Sequence, residues 1–128
     1  MAYQFSFEKL EVWQTARILV KDIYQLTENF PEKERFGLTN QMIRSAVSVC
    51  ANLAEGATRS SSKEQAHFTS ISYGSLIELL SHLIVSTDLK FMSEETLNEF
   101  REKIQPLSVK INNLRNQQLS LITKLKIN

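Results

Sequence analysis

The stretch that decides the fold is residues 94–125, EETLNEFREKIQPLSVKINNLRNQQLSLITKL. Apolar side chains recur there every three or four residues over about four heptads, which is typical of a helix packed along one face. The row, with one polar member, is Leu97, Phe100, Ile104, Leu107, Ile111, Leu114, Gln118, Leu121 and Leu125. Pro106 lies inside it, and we predict a kink there because proline removes a helical hydrogen bond.

Similar spacings precede this segment and predict three more helices. The four predicted helices cover about residues 7–28, 38–57, 62–90 and 94–125, with short polar connectors between them. Three glycines and two prolines are too few for the many turns of a β-rich domain. The sequence therefore predicts one all-α domain over residues 1–128, an up-down-up-down antiparallel four-helix bundle.

The first predicted helix carries two adjoining apolar rows. One row runs through Trp13 and Val20, and an offset row runs through Val12 and Leu19. Together they make a stripe wider than one bundle seam requires. Two explanations stay open, a deeply buried helix and a subunit interface.

Local signals mark several helix ends. Ser61 with Glu64 fits a capping box, and Ser93 precedes acidic residues as a helix start does. Gly56 lies near the end of the second helix, where glycine can adopt the left-handed capping conformation. Gly74 lies inside the third helix, where it marks either close helix approach or simple tolerance.

The charge balance excludes a strongly polyelectrolyte surface. The net charge is +1, so the chain as a whole does not attract nucleic acid or anionic membranes. From residue 105 onward, however, there are four basic residues and no acid. These cations either complement the dipole of a helix C-terminus or contribute to binding an anionic partner.

The cysteine count and the N-terminus indicate a cytoplasmic protein that does not enter membranes. Cys50 is the only cysteine, which excludes an intramolecular disulfide and a cysteine-based metal site. No signal peptide is recognisable, and we expect no apolar run of the roughly 20 residues that a membrane helix needs.

The second predicted helix has an unusual polar face. A band about 100° wide at helical spacing contains Gln41, Arg44, Ser45, Ser48, Asn52 and Glu55. Its mixture of amides, hydroxyls and single charges suits an interface or a ligand groove, although a solvated surface is the simpler reading. Arg44 and Glu55 are about 16 Å apart along the axis, so we expect their ionic partners on another helix or another chain.

Signals for catalysis are absent from the sequence. Glu78 and His82, at i and i+4, could touch one ion, but a metal site needs three or four ligands. No phosphate-binding loop or nucleophile motif occurs. We therefore expect no catalytic residue, no metal and no cofactor, and predict that the protein is not an enzyme.

The candidate nucleic-acid-binding residues are Arg44, Arg59, Lys63, Lys110, Arg115, Lys124 and Lys126.

Several segments resemble the bacterial four-helix-bundle proteins associated with intervening sequences in 23S ribosomal RNA genes. The resemblance covers roughly residues 8–118, and its segments are Leu10–Gln14, Phe30–Pro31, Phe36–Thr39, Arg44–Val49, Asn52–Gly56 and Gly74–Leu76 with Glu78. It implies a four-helix bundle that is frequently assembled as a ring-like pentamer. The family is similar to the accessory variability determinant of diversity-generating retroelements, a basic pentameric barrel that binds nucleic acid and a reverse transcriptase.

Residues and resemblance together lead to one hypothesis and one alternative. The hypothesis is a non-enzymatic, homo-oligomeric binding or scaffold protein that contacts RNA or DNA. The alternative is a protein–protein interaction adaptor that does not bind nucleic acid. In either case we expect a polar network or interface formed by Gln41, Ser48, Asn52, Glu55 and Glu78.

Overall fold

The computed structural model of the chain describes the backbone of residues 2–127 and the side chains of residues 2–122. Within these residues the secondary structure is helical, with no strand. The elements are α1 (Glu11–Thr27), α2 (Leu38–Ala57), α3 (Ser62–Asp88) and α4 (Glu94–Ile127), with short 3-10 turns at Ser6–Lys9 and Glu32–Glu34. The predicted all-α four-helix architecture is confirmed.

The four helices form a closed arrangement in which each helix contacts two others. α2 packs on α1 and α3, and α4 packs on α3 and α1, while the two diagonal pairs have no close backbone approach within residues 2–127. Contacts between α2 and α3 join Ser48 to Ser75 and Gly56 to Phe68, so these two helices run antiparallel. The α1–α4 pair is the least extensive of the four.

The core uses the whole apolar stripe of α1. The offset row of Val12, Ala16, Leu19 and Ile23 is buried at the centre. Trp13, from the other row, is partly buried and packs against that core. The width of the stripe is therefore accounted for by packing within the chain, which favours the buried-helix explanation over the interface explanation.

The observed helix ends differ from the predicted ones mainly at the start of α1, and by one or two residues at the ends of α1, α3 and α4. The first helix begins at Glu11, because Ser6–Lys9 forms a 3-10 turn and Leu10 is extended, with φ −71° and ψ 123°. α3 ends at Asp88, and Lys90 adopts a positive φ of 67° beyond it. α4 continues as helix through Pro106, and the kink there remains a prediction.

Both predicted serine caps are present. Ser61 Oγ accepts a hydrogen bond from the amide of Glu64 at 3.2 Å, and Ser93 Oγ accepts one from the amide of Thr96 at 3.1 Å. Each bond satisfies an amide at a helix start that has no partner within the helix.

The predicted left-handed cap at Gly56 is wrong. Gly56 lies inside α2, and no described glycine has a positive φ. A Cβ built there would lie 3.0 Å from Cβ of Phe68 and 3.3 Å from the carbonyl oxygen of Gln65. Gly56 therefore serves the close approach of α2 and α3. A Cβ at Gly74 would instead meet open space, so the close-approach explanation for that glycine is not supported.

α3 is long and apolar enough to pass a composition test for a membrane-spanning helix. One 18-residue window has a mean hydropathy of 1.3, so the sequence-based expectation of no such run was too strict. The observation is weak evidence for a membrane, because the central helix of a bundle has the same composition. Here α3 packs against both α2 and α4.

Candidate binding surfaces

A polar groove runs between α2 and α3. It has a volume of about 340 Å³ and is lined by Gln41, Arg44, Ser45, Ser48, Ser75 and Glu78. The predicted polar band of α2 supplies four of these residues, and α3 supplies Ser75 and Glu78. Two segments that lie 27 residues apart in the chain at Ser48 and Ser75 thus meet at one place.

The floor of the groove is a hydrogen-bonded network. The hydroxyl oxygens of Ser48 and Ser75 are 2.8 Å apart. Asn52 Nδ2 donates to the carbonyl oxygen of Ser48 at 2.9 Å and to its Oγ at 3.0 Å. Ser45 Oγ donates to the carbonyl oxygen of Gln41 at 2.9 Å. The Ser48–Ser75 bond joins α2 to α3, and the other bonds lie within α2. Because these polar groups have partners within the chain, the charged side chains are the groups open to a partner.

The two charges of the groove do not pair with each other. Arg44 is exposed and makes no hydrogen bond or ion pair within the described part of the chain. Glu78 has a 56% exposed side chain and approaches only Nε2 of His82, at 3.3 Å. A guanidinium and a carboxylate therefore flank the groove from opposite helices, both accessible.

The ionic partner of Glu55 is not on another helix or another chain, as the sequence led us to expect. Its carboxylate pairs with Arg59, which follows four residues later at the end of the same segment. A partner on another helix or chain is therefore not needed, because i and i+4 residues face each other. The guanidinium carbon of Arg59 also lies 4.6 Å from the ring centroid of Phe68, on α3.

The remaining candidate cations lie on different edges of the bundle. Lys110 pairs with Glu11 between α1 and α4. Arg115 donates to Oδ1 of Asn112 and lies over the ring of Tyr73, between α3 and α4. Lys63 is exposed at the start of α3. The side chains of Lys124 and Lys126 lie outside the described residues. The described candidates thus do not form one basic patch.

The Lys110–Glu11 pair perturbs the titration of its acid. The hydrogen bond from Lys110 and its positive charge lower the pKa of Glu11 below its usual value.

The outer side of α1 carries cations that our sequence analysis missed. Arg17 and Lys21 are exposed and form no ion pair within the described residues. Between and beside them, Ile18 is 62% exposed and Tyr24 is 51% exposed. We call these four residues, together with Gln14 and Gln25, the α1 basic face. The signal was available: Arg17 and Lys21 are four residues apart, opposite the buried stripe.

Two acids beside the α1 basic face are paired with lysines of α4, whereas Glu28, one turn after Tyr24, is exposed and has no ion pair among the described residues. Asp22 accepts from Nζ of Lys103 at 3.1 Å, and Glu11 pairs with Lys110. Arg17 itself lies 5.5 Å from the ring centroid of Trp13, which restricts its position without cancelling its charge. Arg17 and Lys21 are therefore unpaired cations on a side that also carries exposed acids, Glu28 beyond α1 and Glu99 and Glu102 on α4.

Among the described residues, neither Cys50 nor the Glu78–His82 pair forms a reactive or metal-binding site. The thiol of Cys50 is half-buried and lies 3.9 Å from the carbonyl oxygen of Trp13, and burial raises its pKa although the charge of Arg17 opposes the shift. Glu78 and His82 do not gain a third ligand, since no cluster of three His, Cys, Asp or Glu occurs among the described side chains.

Comparisons with known proteins agree with the architecture. No curated protein is significantly similar to the chain. The fold is similar to the crystal structure of a protein of unknown function from the S23 ribosomal protein family of Bacteroides thetaiotaomicron, with a TM-score of 0.63 and 21% identity. The alignment covers 81% of this chain and 94% of that one.

The sequence match is broad enough to assign a family. The model of the 23S rRNA-intervening sequence proteins matches residues 8–113, which include both segments that meet in the α2–α3 groove. The chain therefore belongs to the 23S rRNA-intervening sequence protein family.

Proposed function

We propose that this protein is a non-enzymatic, homo-oligomeric binding protein that contacts nucleic acid. The observation that carries the proposal is the α1 basic face, with its exposed cations Arg17 and Lys21 and the half-exposed ring of Tyr24. Cations neutralise phosphates, and exposed aromatic rings stack on unpaired bases. Single-stranded RNA is the first ligand to test, since the family description refers to 23S rRNA intervening sequences.

The charge around this face supports phosphate binding more than the total charge suggests. Lys103 and Lys110 border α1 and are each matched by one acid, Asp22 and Glu11. Arg17 and Lys21 add two cations that have no ion-pair partner among the described residues, so the middle of α1 carries two unpaired positive charges.

Self-association would repeat this small patch around a symmetry axis. Two unpaired cations bind phosphates weakly on their own, whereas symmetric copies present several such patches to one strand. The ring of five copies that the family resemblance implies remains a prediction, and the mass in solution tests it.

The test is binding of a fluorescent single-stranded RNA, measured by anisotropy over a series of salt concentrations. The variant Arg17→Ala/Lys21→Ala is expected to bind more weakly. The slope of log affinity against log salt should become shallower by about 1.4, since each lost phosphate contact removes roughly 0.7.

A matched control removes the same charge elsewhere. Lys33→Ala/Arg101→Ala deletes two exposed cations that lie in the α1–α2 connector and in α4. It should leave the salt slope within error of the wild-type value. If both double variants lose the same RNA affinity, only net charge matters, and the α1 basic face is not the binding site.

If the wild-type protein binds RNA no better than a neutral four-helix bundle at low salt, nucleic-acid contact is contradicted. A protein–protein adaptor would then be the better proposal, favoured by the weakly charged α2–α3 side. Recovery of one stoichiometric protein partner, resistant to nuclease, would support that alternative.

A further inference from the structure

A mainly apolar groove lies between α1 and α4, beside the α1 basic face. Its volume is about 350 Å³, and its lining residues are Thr15, Ile18, Leu19, Asp22, Lys103 and Leu107. The two helices that border it form the least extensive of the four helix contacts. Leu19 and Leu107 are buried members of the core, whereas Ile18 is 62% exposed. The groove therefore has an apolar floor and an exposed apolar wall.

Ile18 connects this groove with the α1 basic face. The same side chain also lines the neighbouring surface depression that contains Arg17 and Lys21. A strand whose phosphates contact these two cations therefore passes within one side chain of the groove. Glu99 and Glu102 are exposed on the α4 side and repel phosphates. The charges thus favour a strand with its phosphates over α1 and its bases towards the groove.

The polar edge of the groove is a lysine–aspartate pair. Nζ of Lys103 donates to Oδ2 of Asp22 at 3.1 Å. The Asp22 side chain is 21% exposed, so its carboxylate is recessed, whereas that of Lys103 is 50% exposed. Oδ1 accepts no hydrogen bond from the described residues, and the ammonium group has N–H donors to spare. The pair therefore offers, in a row, the acceptors Oδ1 and Oδ2 and the donor Nζ.

This row is complementary to the edge of one base. The Watson–Crick edge of an unpaired guanine presents the donors N2–H and N1–H and then the acceptor O6. Adenine and cytosine present one amino donor beside ring acceptors, and uracil presents one N–H between two carbonyl groups. Guanine alone can therefore join N2 to Oδ1, N1 to Oδ2 and O6 to Nζ of the Asp22–Lys103 pair. Its ring would then lie on Ile18 and Leu107.

We propose that the α1–α4 groove binds an unpaired guanine base of single-stranded RNA, recognised by Asp22 and Lys103. The inference deepens the proposed function and rests on it, because Arg17 and Lys21 hold the phosphates beside that base. It adds the sequence preference that phosphate contacts lack. An aliphatic side chain of a protein partner is a poorer occupant, because it would bury the free oxygen of Asp22 without a donor.

The test compares short single-stranded RNAs that differ in one base, by fluorescence anisotropy at a fixed low salt concentration. The parent oligonucleotide contains only uridine, and its relatives carry one central guanine, inosine or adenine. Inosine lacks the N2 amino group of guanine and is otherwise identical, so it removes one donor. The guanine RNA is expected to bind about tenfold more tightly than the parent, and the inosine and adenine RNAs should lose most of that gain.

Asp22→Asn tests the residue that recognises the edge of the base. The amide keeps the size of the side chain but replaces one acceptor with an N–H₂ group that opposes a guanine donor. The variant should lose the preference for guanine. Its affinity for the uridine parent should rise slightly, because one negative charge near Arg17 and Lys21 is removed.

Asp88→Asn is the matched control. It makes the same chemical change at an exposed position, the last residue of α3. It should keep the preference for guanine. Circular dichroism verifies that both variants are folded.

Methyl NMR locates the bound base. The ring current of a base that lies on Ile18 should shift its methyl resonances more with the guanine RNA than with the uridine parent. Ile77 is 44% exposed on α3 and should not shift with either RNA.

Failure of this site and failure of the proposed function give different results. RNA binding that depends on Arg17 and Lys21 but does not distinguish guanine from uridine overturns the guanine site alone. A guanine preference that persists in Asp22→Asn also overturns it. A wild-type protein that binds none of these RNAs overturns both the guanine site and the proposed function. A preference that is lost with inosine and in Asp22→Asn, and kept in Asp88→Asn, supports the site.

Discussion

Gly56 and Gly74 both lie inside helices but have opposite surroundings. A Cβ at Gly56 would lie 3.0 Å from Phe68, whereas a Cβ at Gly74 would meet nothing within 4 Å. The intrinsic helix preference favours alanine over glycine by about 1 kcal/mol at either position. Whether alanine raises or lowers the free energy of unfolding therefore depends on whether the neighbouring helix can shift to make room for the added methyl group.

We predict that Gly56→Ala destabilises the protein by about 1–2 kcal/mol, because overpacking of the α2–α3 contact exceeds the gain in helix preference. Gly74→Ala should stabilise it by up to about 1 kcal/mol. Urea unfolding at dilute protein concentration measures both. The packing account is wrong if the two variants shift the midpoint in the same direction.

Two buried serines form a second matched pair. Ser72 Oγ donates to the carbonyl oxygen of Val49 at 2.8 Å, whereas Ser86 Oγ is buried and has no hydrogen-bond partner among the described residues. Ser72→Ala should cost about 1 kcal/mol, since it leaves a buried carbonyl with one partner fewer. Ser86→Ala should be neutral or stabilising. Thermal unfolding measures the stability of both variants. An equal decrease in melting temperature would contradict the different hydrogen bonding of Ser72 and Ser86.

The reactivity of the Cys50 thiol measures how well the folded chain shields it. Because burial raises its pKa, less thiolate is present at a given pH than in the unfolded chain. We predict that iodoacetamide modifies the folded protein more slowly at pH 8 than the urea-unfolded protein, and that Arg17→Ala slows it further. Equal rates in the folded and unfolded chains would show that the thiol is not shielded.

The helix pairs differ in what joins them. α2 and α3 meet through a close glycine contact and serine hydrogen bonds, whereas α1 and α4 have a smaller contact bordered by two exposed ion pairs. Exposed ion pairs contribute little to stability. The α2–α3 contact therefore contributes more to the stability of the bundle than the α1–α4 contact does. The charged side chains beside the α1–α4 contact remain exposed.

The Lys110–Glu11 pair gives a prediction for the α1–α4 contact. Glu11 should titrate below its ordinary pKa in the wild-type protein, and Lys110→Ala should raise that pKa, whereas Lys103→Ala should not. Because the folded pKa is lowered, the contribution of the pair to folding exists above the unfolded pKa and is lost as the pH falls through the folded pKa. Carboxyl carbon NMR titration measures this, and an unchanged Glu11 in Lys110→Ala would contradict the pairing.

Helix periodicity made most of the fold predictable. The row from Leu97 to Ile111 is buried as its spacing indicates, and the caps at Ser61 and Ser93 form. The start of α1 was not predictable in this way, because Phe7 fits the apolar spacing although its segment forms a 3-10 turn. Periodicity records which positions are apolar and carries no information on which backbone conformation precedes the first turn.

The binding surfaces were only half predictable. The polar band of α2 could be found because its members share one helix face, but its union with Ser75 and Glu78 depends on the register of α3. Counting charges along the chain drew attention to the basic end of α4 and away from Arg17 and Lys21. Which cations are cancelled by acids depends on pairs such as Lys103–Asp22, separated by 81 residues.

At the level of the molecule, charge is divided between two sides. The outer face of α1 carries the unpaired cations Arg17 and Lys21, and α2 and α3 carry few charged residues. A protein built in this way can associate through one side while the other remains available to a nucleic acid. Self-association and RNA contact then need not use the same residues.

The most direct test is the mass of the purified protein by light scattering, at low and at high salt, with absorbance at 260 and 280 nm recorded on the same peak. The account predicts a mass that is a multiple of the 14.7 kDa chain, with excess 260 nm absorbance at low salt that is lost at high salt. A single peak at one chain mass without that excess, at both salt concentrations, would contradict it.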